Sequence, residues 1–148
     1  MSERDEPNYT APDISLVGAE HVRRYQETNG AVGHDWNGVP ALVLTTTGRR
    51  SGEPRPSALI YGEADGAYIV VASMGGAPTH PSWYLNLVDH PEVQLQVGAE
   101  RFAATARTAE GDERDRLWSV MTGIWPNYDV YQSRTERRIP VVVLERSA

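Results

Sequence analysis

The residue types best suited to chemistry gather in Thr45-Thr-Thr-Gly-Arg-Arg-Ser-Gly-Glu-Pro-Arg-Pro-Ser57, where Arg49, Arg50 and Arg55 fall within seven positions. Planar guanidinium forks match phosphate or carboxylate, and glycines let a backbone approach a ligand closely. The segment therefore suits an anion cradle; equally, it suits an ordinary hairpin whose arginines sit in solvent. A second stretch, Ser73-Met-Gly-Gly-Ala77, follows a strand pattern, so its amides could donate to a flat heterocycle or a phosphate as well as simply turn the chain. Trp83, Tyr84, Trp125, Tyr128 and Tyr131 offer walls for a planar ligand, although aromatics at helical spacing also build cores.

Other chemistries lack their residues. Without cysteine there is no thiolate metal site, iron–sulfur cluster or cysteine nucleophile. No dinucleotide G-x-G-x-x-G follows a strand, and no P-loop, His-Glu-x-x-His or Gly-x-Ser-x-Gly occurs. His21, His34, His80 and His90 are scattered without ligand spacing, so no metal is expected.

The elements that must position these residues can be read from periodicity. Residues 1–18 are acidic and Pro-containing and read as a flexible arm; 19–148 read as one domain. Helices are expected over Ala19 to Thr28, His80 to Asp89 and Glu110 to Trp125, with a further short helix or turn from Pro126. Six strands are expected, over Ala41 to Thr47, Arg55 to Gly62, Ala67 to Ser73, Glu92 to Val97, Arg101 to Arg107 and Ile139 to Leu144. Asp65-Gly66 and Gly98 mark the tight hairpins. Hairpins with helices at interruptions predict an α+β chain built on a six-stranded antiparallel barrel with peripheral helices, rather than a doubly wound parallel sheet. A net charge of −6 argues against nucleic-acid binding, and no apolar run approaches the length of a membrane span. Neither membrane insertion nor a secretory signal is expected, which makes the cytoplasm the default location.

Together, Leu44-Thr-Thr-Thr-Gly-Arg-Arg-Ser-Gly-Glu-Pro-Arg55, Val71-Ala-Ser-Met-Gly-Gly76, His80-Pro-Ser-Trp-Tyr-Leu-Asn-Leu87, Asn127-Tyr-Asp-Val-Tyr-Gln-Ser133 and Arg138-Ile-Pro-Val-Val-Val143 resemble the deazaflavin-dependent nitroreductase family, in the family's order. The resemblance implies a split β-barrel related to flavin-mononucleotide-binding folds and reduced coenzyme F-420 as hydride source. It implies that Gly48, Arg49, Arg50, Ser51 and Arg55, with Ser57 at the loop's end, grip the cofactor's phosphate and oligoglutamate tail. The ring would lie along Ala72, Ser73, Met74, Gly75 and Gly76 near Trp83 and Tyr84, with Tyr61, Tyr128 and Tyr131 towards substrate. Backbone amides, or the hydroxyl of a tyrosine or of Ser73, would then polarise the acceptor.

Two positions depart from that family: Arg50 and Met74 stand where lysines are common; Arg50 keeps the charge, and His80 is the group that would replace the cation lost at Met74. The implied activity is hydride transfer to a small conjugated acceptor such as a quinone, enone or nitroaromatic. A deazaflavin carrier or storage protein, and a reductase of the same barrel using flavin mononucleotide, are the alternatives. Related barrels often pair, so a homodimer is a further expectation.

Overall fold

The computed structural model describes residues 8–147. Eight strands are present: β1 (Asp35–Trp36), β2 (Val39–Thr47), β3 (Pro54–Ile60), β4 (Gly62–Ala64), β5 (Ala67–Val71), β6 (Glu92–Val97), β7 (Glu100–Thr108) and β8 (Val141–Arg146). Four helices surround them: α1 (Gly18–Glu27), α2 (Ser82–Asp89), α3 (Gly111–Ile124) and α4 (Asn127–Ser133), with a 3-10 turn at Met74–Gly76. All pairings are antiparallel, in the order β1-β2-β6-β7-β8-β5-β4, and β3 lies on the other side of β2. No helix among the described residues is long and apolar enough to cross a membrane.

Apolar runs form β2, β5 and β8 because both faces of these strands are covered, and successive residues enter different layers. Leu42, Leu44, Val70, Val142 and Leu144 point into the barrel with Trp83 and Leu87 of α2. Their neighbours Ile69, Val71, Val141 and Val143 point outward against Leu117 and Met121 of α3. Val43 likewise faces Val22 and Tyr25 of α1.

The expected strand count of six is corrected to eight, the additions being the short strands β1 and β4. β1 exists because Asn37 and Gly38, both at positive φ, fold Trp36 back onto Val39. β4 arises from a break in what the sequence suggests is one strand from Arg55 to Gly62. Ile60 is the last residue paired with β2, and the Tyr61 amide donates to Pro40 O at 3.1 Å. At Gly62 the chain passes beneath α3, where a Cβ would stand 2.7 Å from Met121 Sδ. Asp65-Gly66 thus closes a hairpin between β4 and β5, not between β3 and β5.

That break matters for the site. No ladder joins β3 to β5, so the sheet is open there. The N-terminal arm crosses the same end. Thr10 exchanges two hydrogen bonds with the Asn127 side chain (2.9 and 2.7 Å), and Trp36 Nε1 donates to Leu16 O at 2.7 Å. Residues 1–7 of the predicted arm lie outside the described residues.

Candidate functional site

A cleft of about 580 Å³ occupies the opening between β3 and the end of β5. Its walls are Ser57 to Ile60 of β3, the start of α1, Trp83 of α2, and Trp125, Tyr128 and Tyr131 at α4. Ser73, Met74 and Gly75 supply the edge beyond β5. Three hydroxyls on this mainly apolar surface, those of Ser57, Ser73 and Tyr128, have no hydrogen-bond partner among the described residues. Tyr128 is 4% exposed, and burial, with a smaller contribution from the Tyr131 phenol, holds its pKa well above the usual tyrosine value. It stays protonated, a donor rather than a base. Tyr131 Oη accepts a long bond from Trp125 Nε1 (3.4 Å), which leaves its own proton available.

Across Ser57 and Trp83 lies a second depression of about 260 Å³, lined by Gly48, Arg49, Arg50, Ser51 and Arg55. The β2–β3 hairpin closes this loop through Gly48 N–H to Glu53 O and Gly52 N–H to Gly48 O, both 2.8 Å. Arg49 is fixed from α2, because its amide (3.2 Å) and Nη1 (2.9 Å) both donate to Asn86 Oδ1. Asn86 is itself buried and donates to Thr46 Oγ1 at 3.2 Å. Arg55 is looser. Its Nη2 donates to Ser51 Oγ at 3.3 Å and stands 3.7 Å from the Glu53 carboxylate. Arg50 is exposed and forms no ion pair among the described residues.

The arginine loop, Ser57, Ser73, Met74, Gly75, Trp83, Tyr128 and Tyr131 are thus gathered around two joined hollows. Tyr61 is not. It is buried in the barrel with its hydroxyl 3.0 Å from His34 Nε2, and burial pushes its pKa up to about 12. Tyr84 and His80 also lie elsewhere, on a separate depression beside Thr108 and Arg114. Tyr84 bonds Thr108 Oγ1 at 2.9 Å. His80 Nδ1 faces Arg137 Nη1 at 3.0 Å; since arginine only donates, that nitrogen must accept. Burial, and then the Arg137 charge, lower the His80 pKa, so this ring does not replace the lysine absent at Met74. Ala72 is sealed in the core.

Gly76 supports the turn from below, where an added Cβ would stand 2.5 Å from Tyr131 O and 2.9 Å from Arg134 Cβ, at φ +85°. Gly76→Ala should therefore push α4 off the turn and destabilise the fold by about 2–4 kcal/mol, combining overpacking with left-handed strain. Thermal or urea unfolding checks this, and an unchanged midpoint would contradict it.

Sequence reasoning missed Asn86, Arg137, Asn127 and Trp36. Asn86 had one legible signal: a polar residue at i+3 from Trp83 on the buried face of α2. Arg137 had none, because its acceptors are main-chain carbonyls some 60 positions away.

The model of the F420H(2)-dependent quinone reductase family matches residues 17–146. A relative from Mycobacterium tuberculosis, named an F420H(2)-dependent quinone reductase, is 45% identical over 130 residues, covering 85% of this chain and 87% of the relative. Among solved structures, an F420-H2 dependent reductase is 43% identical with a TM-score of 0.67, covering 72% of this chain and 94% of that one. Another, described as a domain-swapped dimer, is 39% identical with a TM-score of 0.70, covering 84% of this chain and 96% of that one.

Proposed function

The chain belongs to the F420H(2)-dependent quinone reductase family, and from that premise we propose that it is an oxidoreductase passing hydride from reduced coenzyme F-420 to a quinone-type acceptor in the cleft at the barrel's open edge. The observation that carries this is the junction of the two hollows. An aromatic cleft of about 580 Å³ adjoins an arginine-lined depression of about 260 Å³, and Ser57 and Trp83 line both. Such a shape and polarity suit a planar ring attached to an anionic tail, with room left for a second planar molecule.

Bound there, the deazaflavin supplies the hydride. The chain supplies placement. Arg49, already locked by Asn86, together with Arg50 and Arg55 would take phosphate and carboxylate oxygens, and Trp83 with the Ser73–Gly75 edge would hold the ring. Trp125, Tyr128 and Tyr131 would face the acceptor, where a neutral phenol can donate to an oxygen that gains charge. With few polar groups to discriminate, related acceptors would differ by only ~1–3 kcal/mol, so quinones, enones and nitroaromatics should all be tried.

The test is titration of the purified protein with oxidised coenzyme F-420, followed by tryptophan fluorescence, with flavin mononucleotide in parallel. Saturable quenching by coenzyme F-420, largely lost in Trp83→Phe, is the expected result. Preference for flavin mononucleotide would refute the cofactor assignment. Adding menadione to the reduced complex then separates enzyme from carrier, because only an enzyme turns over.

A further inference from the structure

We propose that Arg137 is a positioning residue: it holds a nest of three main-chain amides at Ser73, Met74 and Gly75 that binds an oxygen of a planar ligand in the cleft, and by its charge it polarises the first two of them. The proposal rests on the reading of that cleft as the ligand site.

The nest follows from backbone geometry. Ser73 is right-handed (φ −79°, ψ −41°), whereas Met74 (φ 47°) and Gly75 (φ 64°) are left-handed. A right-handed residue followed by a left-handed one turns successive N–H groups towards a common point, which makes a concave site for negative charge. Gly76 and Ala77 bend their amides back to Ser73 O and Met74 O, at 2.9 and 3.1 Å. The amides of Ser73, Met74 and Gly75 donate to no acceptor among the described residues, and all three residues line the cleft. Ser73 is buried whereas Met74 and Gly75 are exposed, so the latter two amides are open to water until a ligand oxygen displaces it.

Arg137 lies behind this turn. Its Nη2 donates to Ser73 O (2.7 Å), Nη1 to Ala72 O (3.2 Å) and Nε to Ala77 O (2.7 Å). Nη1 also donates to His80 Nδ1. It forms no ion pair with a carboxylate among the described residues, so its charge acts on these peptide groups and the His80 ring without being neutralised. The carbonyl of Ala72 belongs to the peptide whose N–H is that of Ser73, and the carbonyl of Ser73 to the peptide of Met74. A charged donor on each carbonyl draws electron density along the peptide and strengthens the N–H at its far end, as hydrogen bonds in series do. Arg137 therefore fixes the shape of the nest and raises its donor strength without touching the ligand.

The experiment combines amide NMR of the whole protein with kinetics. Oxidised coenzyme F-420 and menadione are titrated separately, and the Ser73, Met74 and Gly75 amide protons are followed. Downfield movement with coenzyme F-420 assigns the oxygen to the cofactor, and movement with menadione alone assigns it to the acceptor. In Arg137→Met the movement should shrink, and kcat for menadione reduction should fall by about ten- to a hundredfold with little change in KM, the scale set by loss of oxyanion donors. Arg137→Lys, which keeps the charge, should recover part of kcat. A merely structural arginine would lower the melting temperature and leave the shifts alone. Saturable ligand binding with all three amides unmoved, or wild-type kcat in a folded Arg137→Met, would overturn the proposal. No binding at all would instead remove the reading of the cleft on which it rests. Should Arg137→Met fail to fold, the wild-type titrations and Arg137→Lys still decide.

Discussion

Replacing Arg55 with alanine is expected to weaken binding of oxidised coenzyme F-420 by about ten- to a hundredfold, the scale of one charged hydrogen bond of about 1.5–3 kcal/mol. Of the three arginines in the loop, Arg55 combines a defined origin with unspent donors. It stands on β3 opposite Thr46, which fixes its main chain, and its guanidinium reaches only Ser51 Oγ and, at 3.7 Å, Glu53. Its side chain is 56% exposed and that of Glu53 70%, so this ion pair contributes little and a ligand anion can displace it. Arg49 differs, since its Nη1 already donates to Asn86 Oδ1 and Ser82 O, which holds the side chain against α2. Arg55→Ala should therefore leave the unfolding midpoint nearly unchanged while raising the dissociation constant and flattening its dependence on salt. Fluorescence titration at two ionic strengths measures both. An unaltered dissociation constant would exclude Arg55 from the cofactor grip.

Much of the barrel was legible because its strands obey simple rules, and its exceptions show where those rules stop. β6 and β7 alternate polar and apolar residues, and both were placed from that period to within one residue of each end. β5 and β8 could be recognised as strands, but not which residue faced which layer. Ile69 and Val70 are equally apolar, and only the presence of α3 outside the barrel separates them. β4 was invisible for a related reason: Gly62-Glu-Ala64 has no strand character of its own, and the close passage under Met121 creates it. β1 was nearer the surface of the sequence, for Asn37-Gly38 carries the same turn signal as Asp65-Gly66.

The site divides in the same way. Its arginine loop could be read because its residues are contiguous, and so could the aromatic wall, whose residues recur at helical spacing. Tyr61 could not be separated from Tyr128 and Tyr131 by type. Its burial inside the barrel, against His34, follows from where β3 breaks, which no local pattern records. His80, the sequence's candidate to replace the missing lysine, has another cation, Arg137, as its neighbour in space.

Tyr128→Phe should lower kcat for menadione reduction by about ten- to a hundredfold, while leaving the dissociation constant of coenzyme F-420 and the stability of the fold nearly unchanged. Its stability effect follows from what the hydroxyl lacks. A phenol sealed in a core normally finds a partner, and truncating it then costs a hydrogen bond; no sealed side-chain polar atom among the described residues lacks a partner, so the unpaired Tyr128 hydroxyl reaches the open cleft, and phenylalanine keeps the ring without breaking a hydrogen bond within the protein. The ring itself packs edge-on against Tyr131, with centroids 6.1 Å apart, in the layer beneath α3 and α4. Activity should fall, because this unpaired hydroxyl lines the cleft and burial of the residue keeps it protonated beyond the ordinary tyrosine range. A donor held ready and left unpaired by the protein is what an acceptor oxygen needs as it gains charge. Tyr131→Phe should cost less, since Tyr131 is only half-buried and its hydroxyl already receives a bond from Trp125. Lost activity at unchanged stability would mark the Tyr128 hydroxyl as a group kept for chemistry. Parallel losses in kcat and melting temperature would instead make it part of the core, and an equal loss of cofactor affinity would put it on the cofactor's side of the cleft.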